Sequence, residues 1–171
     1  MPTTAKTNGM RTLKLTANRF PRRILVDTGI IIGYYDASDP HHDASVRLLG
    51  DWIVHPGPSQ LVITFPVLYE TLSTQFVKNQ RRMTAWTTDW NGWHAMNRLE
   101  FCEDDPYRND ALTQCAAEVH RPPHHFRALS LVDRILRALL DDPTVHIDSL
   151  WTFNPGDFAD VCKRRNISIS P

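Results

Sequence analysis

The sequence predicts an α/β fold: one domain with a central, mostly parallel sheet and helices on both faces. Three observations lead there. Short, largely apolar runs at 24–26, 61–65 and 150–153 have the length and composition of strands buried on both faces. Helix-length stretches separate these runs, as crossovers between parallel strands require. The 171 residues suffice for one ordinary core.

Taken in order, residues 24–26 read as a buried strand ending on Asp27-Thr28. A short helix begins within 30–35 and closes at the turn cluster 36–40. Residues 42–52 read as a helix, with Ala44, Leu48 and Leu49 on one face and Trp52 a turn further on. Residues 61–65 make a second strand. Pro66 suits a first helical turn, and one helix is expected over 67–78, with Glu70 about one turn past the strand end. Another spans 81–97, where Met83, Trp86, Trp90 and Trp93 share a stripe. Residues 99–102 read as a short edge strand, and 107–120 as a helix opened by Asp104-Asp105-Pro106. After a loop at 121–125, residues 129–133 lead into a helix running to about 140. A strand at 150–153, a turn at 154–157, a short helix at 158–163 and a last strand at 167–169 complete the chain.

Composition excludes several classes. No apolar run approaches the roughly 18 residues of a membrane span, and residues 1–23 lack the apolar core of a signal peptide. The three cysteines, Cys102, Cys115 and Cys162, are scattered and read as reduced thiols of a cytosolic protein. His41, His42, His120, His124 and His125 match no structural zinc spacing. Net charge is zero but uneven. Residues 1–23 hold six basic residues and no acid, an expected flexible tail, which leaves 13 basic against 19 acidic residues from position 24 onward. Nucleic-acid binding would therefore need local basic patches rather than a global field.

Four acids sit at element ends: Asp27, Glu70, Asp133 and Asp157. In a parallel sheet, ligands bind beyond the carboxyl ends of the strands, and the expected topology gathers the four there. Carboxylates in one cleft repel one another. A hard cation such as Mg²⁺ or Mn²⁺ relieves that repulsion and takes oxygen ligands. Such an ion activates water and stabilises charge on a phosphoryl group, so phosphodiester hydrolysis is the chemistry expected. A receiver or phosphatase domain would want a second acid beside the strand-end Asp, which Asp27-Thr28-Gly29 does not offer.

Four segments, Ile24-Leu25-Val26-Asp27-Thr28, Thr64-Phe65-Pro66-Val67-Leu68-Tyr69-Glu70, Leu129-Ser130-Leu131-Val132-Asp133 and Thr152-Phe153-Asn154-Pro155-Gly156-Asp157-Phe158, resemble the four motifs of the PIN domain. Their order and spacing from residue 24 onward resemble the compact VapC-type toxins within that family. The resemblance implies a Mg²⁺- or Mn²⁺-dependent endoribonuclease, cytoplasmic and dimeric, acting on RNA and restrained by a cognate antitoxin. Position by position it makes Asp27, Glu70 and Asp133 the acidic ligands, with Asp157 as the favoured fourth acid, Asn154 as a neutral alternative, and Asp27, Asp133 and Asp157 as the metal-holding set. Thr28 and Thr152 match hydroxyl positions that orient carboxylates and waters. Gly29 stands where Ser is common. Residues 79–127 follow no motif.

Plainer readings stand beside these. Asp27 and Asp157 could cap helices, and Ser130-x-x-Asp133 fits a capping box. The tryptophan stripe reads as core or as an interface, and otherwise as a base-stacking surface. Arg134, Arg137, Lys163, Arg164 and Arg165 could contact RNA phosphates or be solvated helix residues.

Overall fold

The structure, a computed structural model, describes residues 22–55, 57–120 and 129–171. The basic segment up to residue 21, together with His124 and His125, lies outside the described residues. Five strands form one sheet: β1 (Arg22–Val26), β2 (Ser59–Thr64), β3 (Leu99–Cys102), β4 (Ser149–Trp151) and β5 (Ser168–Ser170). Their order is β3-β2-β1-β4-β5, and every neighbouring pair is parallel. The expected α/β class holds, with β3 at the sheet edge. Arg22 and Arg23, counted with the tail by sequence, instead open β1.

Side chains alternate between faces along a strand, yet Ile24, Leu25 and Val26 are all buried, as are Leu61, Val62 and Ile63. Both faces of the central strands are therefore covered by helices. α1 (Thr28–Tyr35) packs on α2 (His42–Val54). This approach is close at Gly33, where a methyl group would meet the Oγ and Cβ of the fully buried Ser45.

Sequence predicted one helix after β2, but the structure has two, α3 (Phe65–Thr71) and α4 (Thr74–Lys78). Ser73 between them is extended. Thr71, Ser73 and Thr74 are weak helix formers, because branching and hydroxyl competition with the backbone tax the helix. α5 (Gln80–Ala95) follows, its first turn capped by the Asn79 side chain.

The stripe on α5 divides. Trp93 joins the core edge-to-face with Trp52 at 5.4 Å, whereas Trp86 and Trp90 stack on each other at 4.7 Å nearer the surface.

α6 (Asp105–Glu118) packs on α7 (Leu131–Asp141), and α7 packs on α8 (Pro155–Arg165). α7 is strongly amphipathic, burying Ile135, Leu136, Leu139 and Leu140. Arg137 pairs with Asp160 at 2.7 Å, and Arg164 with Asp141 at 2.9 Å. Both pairs join positions 23 apart, so α7 and α8 run parallel. α8 ends at Asn166, whose φ of 56° is the left-handed cap that Asn tolerates.

Gly33→Ala is expected to destabilise the fold. The inserted methyl has no room against Ser45, and overpacking of this kind costs about 1–3 kcal/mol, partly offset by about 1 kcal/mol of helix propensity. Urea unfolding should show a lower midpoint, and Ser45→Gly in the Gly33→Ala background should recover part of the loss.

Candidate active site

The chain leaves β1 toward β2 and β3 on one side, and later returns to build β4 and β5 on the other. The crevice between the carboxyl ends of β1 and β4 is the switch point of the sheet, where ligands of such folds bind. Val26 pairs with Trp151, and the Asp27 N–H continues the ladder by donating to the Trp151 carbonyl at 3.0 Å. Asp27 and Thr152 therefore emerge side by side.

Asp27 is only 7% exposed. Its Oδ1 accepts from the Thr28 backbone N–H at 2.7 Å, and its Oδ2 from the Thr152 hydroxyl at 2.6 Å. The Thr152 oxygen in turn accepts from the Asn154 N–H at 3.0 Å. The Thr28 hydroxyl donates to Glu70 Oε2 at 2.7 Å, tying the first turn of α1 to α3. Asp133 forms the expected capping box: its Oδ2 accepts from the Ser130 N–H at 2.9 Å, while its own N–H donates to the Ser130 hydroxyl at 3.0 Å. Burial pushes the Asp27 carboxyl up from its ordinary pKa, and repulsion from Asp133 and Glu70 adds to this against the pull of the Thr152 and Thr28 bonds. Asp27, Glu70 and Asp133 thus share one electrostatic neighbourhood.

Asp157 sits in the first turn of α8. Extended to Asp133, the 23-residue offset between α7 and α8 reaches Gly156, one residue short of Asp157. Asp157 is also one of the charges around Arg137, whose guanidinium donates to the Asp157 carbonyl. Asn154 is the exposed N-cap of α8, and its side chain makes no capping bond.

The basic residues singled out by sequence are largely engaged. Arg134 is buried and pairs with the buried Glu118 at 3.1 Å, joining α6 to α7. Arg137 holds Asp160, Arg164 holds Asp141, and Arg165 donates to the Asp142 carbonyl at 3.2 Å. Lys163, Arg164 and Arg165 occupy the last turn of α8, roughly 9–12 Å along the axis from Asp157 at the ordinary helical rise.

Sequence reasoning passed over the surface beside Glu70. A cavity of about 510 Å³ lies between α3, α6 and α7, lined by Tyr69, Glu70, Arg108, Leu112, Leu131 and Val132 among others. Tyr69 was visible in the second motif but carried no weight there. Arg108 offered only its helical spacing from Asp104.

The donors at the cluster are all oxygens, which suits a hard divalent cation. Among the described residues no three His, Cys, Asp or Glu side chains form a ready metal cage. Mg²⁺ held through one or two carboxylates, with water completing its shell, needs none. The raised Asp27 pKa is the penalty such a cation removes, so the residues fit the ion.

No family model matches the chain, and no curated relative does. Solved structures do. VapC20 of Mycobacterium tuberculosis, described as a sarcin-ricin-loop-cleaving toxin, is 18% identical with a TM-score of 0.56, over 80% of this chain and 94% of that one. VapBC2 of Rickettsia felis, described as bound to a DNA fragment from its promoter, is 15% identical with a TM-score of 0.50, over 86% of this chain and 97% of that one. The chain has the PIN-type fold of the VapC proteins.

Asp27→Asn is expected to stabilise the metal-free protein at neutral pH. A carboxyl whose native pKa is raised binds protons more tightly folded than unfolded, so stability falls as pH rises from about 4 toward the native pKa. The gain from Asn should be absent below that window and complete above it. Urea midpoints of both proteins across pH 4–8 measure this.

Proposed function

We propose that the chain is a Mg²⁺- or Mn²⁺-dependent endoribonuclease hydrolysing RNA phosphodiester bonds, the toxin of a type II toxin–antitoxin pair. It acts in the cytoplasm as a homodimer restrained by a cognate antitoxin. The observation that carries the reading is Asp27, buried at the switch point between two threonine-anchored bonds, with Glu70 and Asp133 close enough to raise its pKa. The fold it shares with VapC20, described as cleaving the sarcin-ricin loop, supports the nuclease part. The VapBC2 neighbour supports a protein partner. No helix of the described residues is long and apolar enough to cross a membrane.

In this reading Asp27 and Asp133 hold the cation, with Asp157 or Asn154 as the fourth partner. When bound, the ion supplies a Lewis acid that lowers the pKa of a coordinated water and neutralises phosphoryl charge. The protein supplies orientation. Thr152 fixes one Asp27 oxygen, and the α1 N-terminus fixes the other. Thr28 holds Glu70 by Oε2, leaving Oε1 to accept a hydrogen bond from the attacking water. Preset donors and acceptors of this kind cost no reorganisation during reaction.

A second reading is a PIN-like binding module without catalysis. The uncharged Asn154 side chain and the missing hydroxyl at Gly29 favour it, although a Cβ at Gly29 would meet Phe153 at an ordinary 3.5 Å. Mn²⁺ titration by calorimetry separates the two: a nuclease binds the ion and weakens on Glu70→Gln or Asp133→Asn, whereas a scaffold does neither.

Cleavage of a mixed RNA substrate should require added Mg²⁺ or Mn²⁺ and stop with a chelator. Asp27→Asn should lower the rate by about 100-fold or more while circular dichroism stays native. Wild-type cleavage by Asp27→Asn, or full activity in chelator, would sink the proposal.

A further inference from the structure

The carboxyl edge of the sheet continues past the carboxylates. Thr64 of β2 pairs with Cys102 of β3, so the next residues, Phe65 and Glu103, lie side by side on that edge. Glu103 is two strands from Asp27, about 10 Å at the ordinary strand spacing. Here a second, smaller cavity of about 230 Å³ opens, lined by Phe65, Tyr69, Glu103, Asp104, Asp105 and Arg108. Tyr69 and Arg108 also line the larger cavity that contains Glu70, so the two are neighbours that share a wall.

Two open aromatic rings, tilted by 37° to each other, line the smaller cavity. Phe65 is 42% exposed and Tyr69 72%, with centroids 6.2 Å apart. Large aromatic side chains left this open beside a site mark a contact surface more than a core. Phe65 is braced from behind, stacked with Phe101 at 6.1 Å and 26°, and Phe101 rests on Trp90 at 5.5 Å. Arg108 is fixed as well: its Nε and Nη2 fork onto the fully buried Asp104 at 2.6 and 3.1 Å, and Nη1 pairs with Asp105. Two of the three acids are therefore committed to Arg108. The Glu103 carboxylate accepts no hydrogen bond among the described residues.

We infer that this cavity is a base-reading subsite, which stacks one unpaired nucleobase on Phe65 and Tyr69 and reads its amino group with Glu103. The three acids disfavour a phosphate there, so what enters is the uncharged ring of the nucleotide. Stacking on aromatic faces accepts any base. An ionised carboxylate only accepts hydrogen bonds, so it favours bases that present an exocyclic amine (adenine, cytosine or guanine) over uracil, which offers O4 and a single N3–H, as carboxylates do toward the cytosine N4 amine. The subsite extends the ribonuclease reading by giving it a local sequence preference, and it rests on that reading only for the nature of the ligand.

The test uses the full chain carrying Asp27→Asn, which leaves the probe intact. Fluorescence anisotropy of labelled heptamers of A, C and U should give A and C about ten-fold tighter binding than U. Adding Glu103→Gln should erase that ratio, because an amide can donate to O4. Adding Tyr69→Leu should weaken all three by about five-fold or more. Equal binding of the three heptamers, or a ratio that survives Glu103→Gln, overturns the inference. Cleavage by the wild type is scored separately: a protein that keeps the A and C preference but cuts nothing refutes the nuclease reading and leaves the subsite standing.

Discussion

The burial of the Asp27 carboxylate constrains much of the rest. A charge with so little exposure is costly unless both oxygens are satisfied, and a buried charge that loses its partner costs several kcal/mol. One partner is local, the first N–H of α1. The other, Thr152, is 125 positions away and reaches Asp27 only if β4 pairs with β1 in one register. A one-residue slip would turn Thr152 to the opposite face. The order β3-β2-β1-β4-β5 is thus needed for more than the apolar core; it also brings a hydroxyl to a carboxylate.

Structural and functional duties fall on the same groups. Asp27 caps α1, and Asp133 closes the capping box of α7. Carboxylates at helix N-termini lie at the positive end of the macrodipole, which lets several acids share a cleft before any cation arrives. Capping uses one lone pair of an oxygen that has two, so a capping carboxylate keeps capacity for a further ligand. The plain reading of these acids as caps and the sharper reading of them as site residues therefore do not compete.

Most of this was legible in the sequence where a local pattern carried it. The β1 and β2 runs, the edge strand at β3, the capping box at Ser130 and Asp133, and the strand-end position of Asp27 follow from burial, periodicity and cap chemistry within a few neighbours. What was not legible depended on partners distant in sequence. The break at Ser73 divides a stretch whose apolar pattern continues through it. Arg134 and Arg137 look like free cations until Glu118 and Asp160, brought in by other helices, claim them. Phe65 and Tyr69 stand only as members of the second motif and Glu103 draws no reading, because their shared cavity exists only once β2 and β3 lie side by side. Asn154 and Asp157 are close in sequence but differ in place: one is the exposed N-cap of α8, the other an acid in its first turn.

The engagement of those arginines bears on how a polyanion could be held. A protein that grips RNA through many free cations gains from counterion release and is sensitive to salt. Here Arg137 and Arg164 pair with acids along α7 and α8, Arg134 is inside the α6–α7 contact, and the chain from residue 24 onward carries more acids than bases. Under the proposed function, short-range elements at the carboxyl edge of the sheet then carry part of the attraction for substrate. One is the proposed ion, which, held by the carboxylates, would turn repulsive groups into phosphate binders. Another is aromatic surface that stacks bases whatever the field around it. Under the proposed function, discrimination falls to the few groups at the site: the threonine-anchored carboxylates for the bond to be cut, and the aromatic-lined cavity next to them for the base beside it.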